Sequence, residues 1–175
     1  MMEPGTRTPG RTQGAEAELQ AILLRVGRLN YAWTNTESLL IHLIAGLAKT
    51  EKDVAVVIFL TLNTTRARVD LVERLAKLPT VSTELRKDVL EVTSALTREG
   101  GLRNKYNHCI YSFDPESGGL QTIMMRIQDR KEAIRMGKTE RVNAAESASI
   151  DASIAKLEQL NRSIWALIRQ HDFPI

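Results

Sequence analysis

Residues 100–113 read GGLRNKYNHCIYSF, and the fold turns on where the helical spacing stops within them. Upstream, Leu85, Val89, Val92 and Leu96 recur at the spacing of one apolar helix face. Gly100 and Gly101 weaken a helix by roughly 1 kcal/mol each relative to alanine. Leu102 and Tyr106 nevertheless resume the same apolar phase. A helix that continues through two glycines implies that something large approaches its backbone there. After His108 the spacing changes to that of a strand. Ile110–Phe113, the turn DPESGG at 114–119 and Leu120–Ile127 read as a β-hairpin. An isolated hairpin is marginal in water, so this one is expected to lie on the helices.

Working outward, Ala15–Ala48 contains no proline and keeps a heptad spacing of apolar residues. Leu19, Val26, Trp33, Leu40 and Leu47 form one row; Ile22, Leu29 and Leu43 form the other, with Thr36 as the polar interruption. This predicts one long helix with a narrow apolar stripe. The stripe suits a core-facing helix equally with one that also packs on a second subunit, because periodicity does not separate the two. Val54–Leu62 is rich in β-branched residues but is read as helix, since a lone buried strand would have no neighbour to pair with. Asn63, Thr64 and Thr65 mark a kink, with Asn63 as cap. Val69, Val72, Leu75 and Ala76 carry an amphipathic helix to Leu78, and Pro79 closes it. Ser82 or Thr83 caps the next helix, with Glu84 in its first turn.

Beyond the hairpin, residues 126–142 carry six bases against three acids, and are read as a solvated loop or helical turn rather than a nucleic-acid contact. A last helix spans Ser149–Arg169, burying Ile150, Ile154, Leu157, Ile164 and Ile168. The expected fold is mainly all-α: a bundle of about four to five helices with one small β-hairpin before the last. Residues 1–14, MMEPGTRTPGRTQG, read as a disordered lead-in, and 15–175 as a single helical domain.

The chain has 175 residues and a formal charge of +3. That mild basic excess permits a nucleic-acid partner without arguing for one. Cys109 is the single cysteine, which excludes an intramolecular disulfide and fits a reducing compartment. The longest apolar run, Val54–Leu60, falls far short of the ~20 residues of a spanning helix. With no signal-peptide pattern at the N-terminus, the expected location is cytoplasmic, away from any membrane. No Gly-rich phosphate loop, HExxH or EF-hand pattern occurs, and His42, His108 and His171 are too scattered to suggest a metal site. No metal or cofactor is therefore expected. His42 reads as a partly buried, hydrogen-bonded histidine, and His171 is assigned no role. Trp33 and Trp165 read as core residues.

Arg103, Asn104 and His108 carry the remaining chemistry. Asn104 and His108 are four apart and share a helix face, and the long Arg103 side chain can swing toward it. They supply a proton carrier active near pH 7, a guanidinium fork suited to phosphate, and an amide able to orient either. Cleaving RNA without a metal needs such groups. One takes the 2′-OH proton, one protonates the leaving 5′-oxygen, and a cation holds the phosphoryl oxygens. A single histidine does not easily serve both sides of the phosphate, whereas two copies meeting across a twofold axis would. Lys105 and Tyr111 are the flanking candidates for substrate contact. The bland alternative is an exposed polar helix end, with His108 near the C-terminal dipole.

The stretch LRNKYNH, late in a helical chain and after a long first helix, resembles the HEPN family, whose members carry Arg, a polar residue, three more residues and then His near a helix end. Arg103, Asn104 and His108 match in order. RARVDLVERLAK before it, and the hairpin and final helix after it, are similar to a bacterial HEPN branch, so that the resemblance spans Ala15–Arg169. Ile110 stands where some toxin members have tyrosine, and Cys109 where glycine is common. The resemblance implies a dimeric helical bundle whose paired Arg and His line a shared cleft. It further implies a metal-independent endoribonuclease of toxin–antitoxin or defence type. The expected partners are then a second copy, RNA and an antitoxin protein. Other members of the family are non-catalytic modules that bind a nucleotide or a protein, which is the alternative reading.

Overall fold

The computed structural model describes residues 9–114, 117–125, 128–130, 133–135 and 137–175. In chain order it contains α1 (Pro9–Glu37), α2 (Leu40–Ala48), α3 (Lys52–Thr61), α4 (Thr65–Leu75) and α5 (Thr83–Asn107). The strands β1 (Cys109–Phe113), β2 (Leu120–Met124), β3 (Gln128–Arg130), β4 (Ala133–Arg135) and β5 (Thr139–Arg141) follow, and α6 (Ala144–Gln170) ends the fold. The molecule is thus mainly helical with a hairpin before its last helix, as the change of spacing at His108 implied. The long α1 packs on both α5 and α6, which also meet each other, and it buries Ile22, Val26, Leu29 and Trp33 in the core. From α6, Ile150, Ile154, Leu157, Ile164 and Ile168 close the same core.

α1 begins at Pro9, inside the stretch expected to be a lead-in, while residues 1–8 lie outside the described residues. The long helix expected over Ala15–Ala48 is two. The Ser38 hydroxyl donates to Asn35 O at 3.0 Å, and Leu39 N donates to Thr36 O at 3.2 Å. Local side-chain bonding and a tightened turn of this kind interrupt the regular ladder. Both apolar rows stay buried across the break, which is why spacing alone reads as one helix. At the next junction Thr64, not Asn63, is the cap: its hydroxyl accepts from Ala67 N at 3.1 Å. α4 stops at Leu75, three residues short of the expected Leu78 and ahead of Pro79, in turns closed by Lys77 N to Arg74 O and Leu78 N to Leu75 O.

Of the two candidate caps, Ser82 and Thr83, it is Ser82 that caps α5, its hydroxyl accepting from Leu85 N at 3.1 Å. The helix does run through both glycines. A Cβ on Gly100 would stand 3.0 Å from Trp33 Cη2, so the large neighbour is the Trp33 ring. Gly101 faces open space.

β1 and β2 pair antiparallel, with Ile110 opposite Ile123 and Phe113 opposite Leu120. Residues 126–142, expected as a solvated loop or helical turn, instead supply β3 paired with β4, and β5 on the free edge of β2. Unpaired sheet edges gain by such cover. Arg126, Ile127, Lys131, Glu132 and Met136 lie outside the described residues. α6 starts five residues before the expected Ser149, because the Asn143 side chain caps it by accepting from Glu146 N at 2.9 Å. His42 is half-buried as expected, its Nδ1 2.7 Å from Pro174 O and its ring against Trp165. No helix among the described residues is long and apolar enough to cross a membrane.

Candidate functional site

The last two turns of α5 carry the site. Because α5 continues past Gly100, Arg103 and Asn107 share the face that meets α1, one turn apart. Arg103 Nε donates to Asn30 Oδ1 on α1 at 3.2 Å, and Nη1 donates to Asn104 Oδ1 at 3.2 Å. Asn30 Nδ2 is anchored on Val26 O at 3.0 Å and lies 2.8 Å from Asn107 Oδ1. With the Asn107 amide turned so that its oxygen faces the guanidinium, that oxygen accepts from Arg103 Nε at 2.8 Å and Nη2 at 3.2 Å. The guanidinium also lies 5.8 Å from the Trp33 ring. Among the described residues no carboxylate pairs with it. Neutral amides thus fix the direction of the cation and leave its charge uncompensated, which suits it to hold an anion.

His108 ends α5. Its backbone N–H donates to Asn104 O at 3.1 Å, and its carbonyl accepts from Met125 N at 3.0 Å where the hairpin begins. The side chain is exposed at this junction. The structure therefore joins Arg103 and Asn104 by contact and keeps His108 one turn from Asn104, with no hydrogen bond between the imidazole and either side chain among the described residues.

Lys105 and Tyr111 have other partners. Lys105, about 200° around the helix from Arg103, reaches Glu140 Oε2 and Glu146 Oε1, both at 2.6 Å. Partial burial opposes its charge, but the two carboxylates outweigh burial and raise its pKa. Lys105 thus ties α5 to β5 and to the first turn of α6. Glu140, which also pairs with Lys138 at 3.1 Å, is held below the usual carboxylate range by these two lysines. The Tyr111 hydroxyl is buried, with the Cys109 thiol as its polar neighbour and no well-formed hydrogen bond among the described residues; burial first, and then interaction with that thiol, raise its pKa. Burial, with Glu146 nearby, pushes Tyr106 up to about 12.

Sequence reasoning missed Asn30 and Asn107. Asn107 carried a signal, standing four residues after Arg103 on the same face. Asn30 carried none, because its role exists only where α1 crosses α5. No group of three or more His, Cys, Asp or Glu side chains able to hold a metal occurs among the described residues. No protein-family model, curated protein or solved structure matches the chain.

Proposed function

We propose that this chain is a metal-independent endoribonuclease of HEPN type, a toxin or defence RNase whose active site is completed by a second copy. The observation that carries the reading is the Arg103 guanidinium. It is oriented by the amides of Asn30, Asn104 and Asn107, pairs with no carboxylate among the described residues, and stands five residues before the exposed His108. In the proposed reaction His108 of one copy takes the proton of the ribose 2′-OH. The 2′-oxygen attacks phosphorus and the P–O5′ bond breaks. His108 of the other copy protonates the leaving 5′-oxygen, giving a 2′,3′-cyclic phosphate and a free 5′-OH. Arg103 holds the phosphoryl oxygens as charge builds, and Asn104 orients it.

Support for a second copy beside the site comes from α1. Leu23, 48% exposed, lies two turns from Asn30 on the same face, and Gly27 between them has open space around its Cα. An antitoxin protein that covers the same cleft would silence the enzyme.

A second reading, a non-catalytic dimeric module that binds a nucleotide or a protein, draws on the engagement of Lys105 and the burial of the Tyr111 hydroxyl. Both remove polar groups that a substrate could use. Purified protein incubated with total RNA and tRNA in EDTA separates the two. The proposal expects cleavage that leaves cyclic phosphate ends, and a loss of about 10²-fold or more in His108→Ala and in Arg103→Ala. Cleavage unchanged in both variants would overturn the assigned site, and absence of cleavage by the wild-type chain would favour the module.

A further inference from the structure

A cleft of about 480 Å³ opens between α1 and α6. Its floor is Ile154 and Ala32, and its walls carry Arg28, Tyr31 and Asn35 from α1 with Glu158, Asn161 and Arg162 from α6. The spacing explains the arrangement. Arg28, Tyr31 and Asn35 recur three and four residues apart on one face of α1, and on α6 Asn161 and Arg162 stand three and four residues after Glu158. Tyr31 is 71% exposed, although an aromatic ring ordinarily buries. Arg28 makes no ion pair or hydrogen bond among the described residues, and Arg162 reaches only Gln159 Oε1, at 3.0 Å. Asn161 Nδ2 donates to Asn35 O at 3.3 Å, and among the described residues the Asn35 side-chain amide and the Asn161 side-chain oxygen have no hydrogen-bond partner. A neighbouring recess of about 360 Å³ shares Arg28, Ile154 and Glu158, so the groove continues along α1.

An exposed aromatic face between two unneutralised guanidiniums, with amides and one carboxylate at its rim, is the chemistry that holds an unpaired nucleotide. The ring stacks a base, the arginines take the flanking phosphates, and Glu158 accepts from an exocyclic amine of the base. The cleft is also close to the proposed active site. Tyr31 directly follows Asn30, about 100° around the same helix, so a strand leaving Arg103 meets Tyr31 by passing around α1.

We infer that the α1–α6 cleft is a subsite for an unpaired base of single-stranded RNA, with Tyr31 as the stacking platform and Arg28 and Arg162 as phosphate contacts. The inference rests on the RNA reading of the active site for its ligand, but not on catalysis. It makes the enzyme selective for single-stranded or looped RNA, since a base within a duplex cannot reach the ring.

The test uses a short 2′-O-methyl RNA, which has no free 2′-OH and cannot be cleaved, with fluorescence anisotropy as readout. Tyr31→Ala is expected to weaken binding roughly 5- to 100-fold, Tyr31→Phe to keep it, and Arg28→Gln with Arg162→Gln to flatten its salt dependence. Unchanged affinity in Tyr31→Ala would overturn the subsite. So would a loss of affinity that sedimentation traces to dissociation of a dimer, because the face would then be an interface between copies. Binding through Tyr31 by a wild-type chain that cleaves nothing in EDTA would uphold the subsite and remove the RNase reading. Cleavage that depends on His108 together with binding indifferent to Tyr31 would do the reverse.

Discussion

Arg68 and Arg103 both reach toward the last turns of α1, and their surroundings show what separates a structural arginine from a candidate functional one. Arg68 Nη1 pairs with the buried Glu37 at 2.9 Å, its Nε donates to the carbonyls of Phe59 and Leu62, and its guanidinium covers the Phe59 ring at 3.9 Å. Glu37 accepts in addition from Trp33 Nε1 at 3.1 Å and from the Thr65 hydroxyl at 2.6 Å. The charges cancel, both carboxylate oxygens accept hydrogen bonds, and α1 is pinned to the α3–α4 junction. Arg103 approaches the same Trp33, but its partners are amides and its charge is left open. One indole thus serves both regions, with its N–H in the closed network and its ring against the open one.

The largest expected contrast is in stability. Glu37→Ala leaves Arg68 without its carboxylate and strips partners from Trp33 and Thr65, which should cost about 3–5 kcal/mol. That corresponds to a fall of about 10 °C or more in Tm. Arg103→Ala should stay within about 1 kcal/mol of wild type while abolishing cleavage. Urea unfolding of both variants checks this, and equal losses would break the distinction.

The glycines give a smaller contrast on adjacent residues. Gly100→Ala gains about 1 kcal/mol of helix propensity but drives a methyl into Trp33, where overpacking costs about 1–3 kcal/mol. A net loss is expected. Gly101→Ala meets open space and should stabilise by up to about 1 kcal/mol. A gain at both positions would mean that the ring yields freely, and that Trp33 does not brace Arg103.

The smallest effect is one of pH. Tyr106, pushed up to about 12, stays protonated in the fold while the unfolded chain ionises near its ordinary value of about 10. The unfolded state therefore loses its proton first, and stability falls as pH rises from about 10 to about 12. Lys105 acts in the same sense. Its raised pKa contributes fully below its ordinary value and is lost as pH climbs through the folded one. Urea midpoints should drop over this range, and less steeply in Tyr106→Phe. Below pH about 4, protonation of Glu140 loosens the same clasp from the acid side.

Several features were legible in the residues. A cap at Ser82 or Thr83, the passage of α5 through its glycines and the start of strands after His108 all follow from local spacing and capping, which neighbouring residues set among themselves. The break at Ser38 was not legible, because both apolar rows remain in phase across it. Nor was the pairing of β5 with β2, since the charged residues 126–142 fit a loop equally well until an open edge is present to receive them. In the candidate site, Arg103, Asn104 and His108 came from their order along one helix. Asn30 came from another helix altogether.

By itself, then, the sequence determined the helical class, the hairpin at His108 and an Arg–Asn–His series on one helix end, because these depend on periodicity and on contacts within a few residues. Only the tertiary structure decided which charges remain open. Lys105 and Arg103 are two residues apart in one helix, yet α6 and β5 bring carboxylates to the first and α1 brings only an amide to the second. The packing of distant elements determines whether a cation is neutralised, and spacing along the chain carries no record of it.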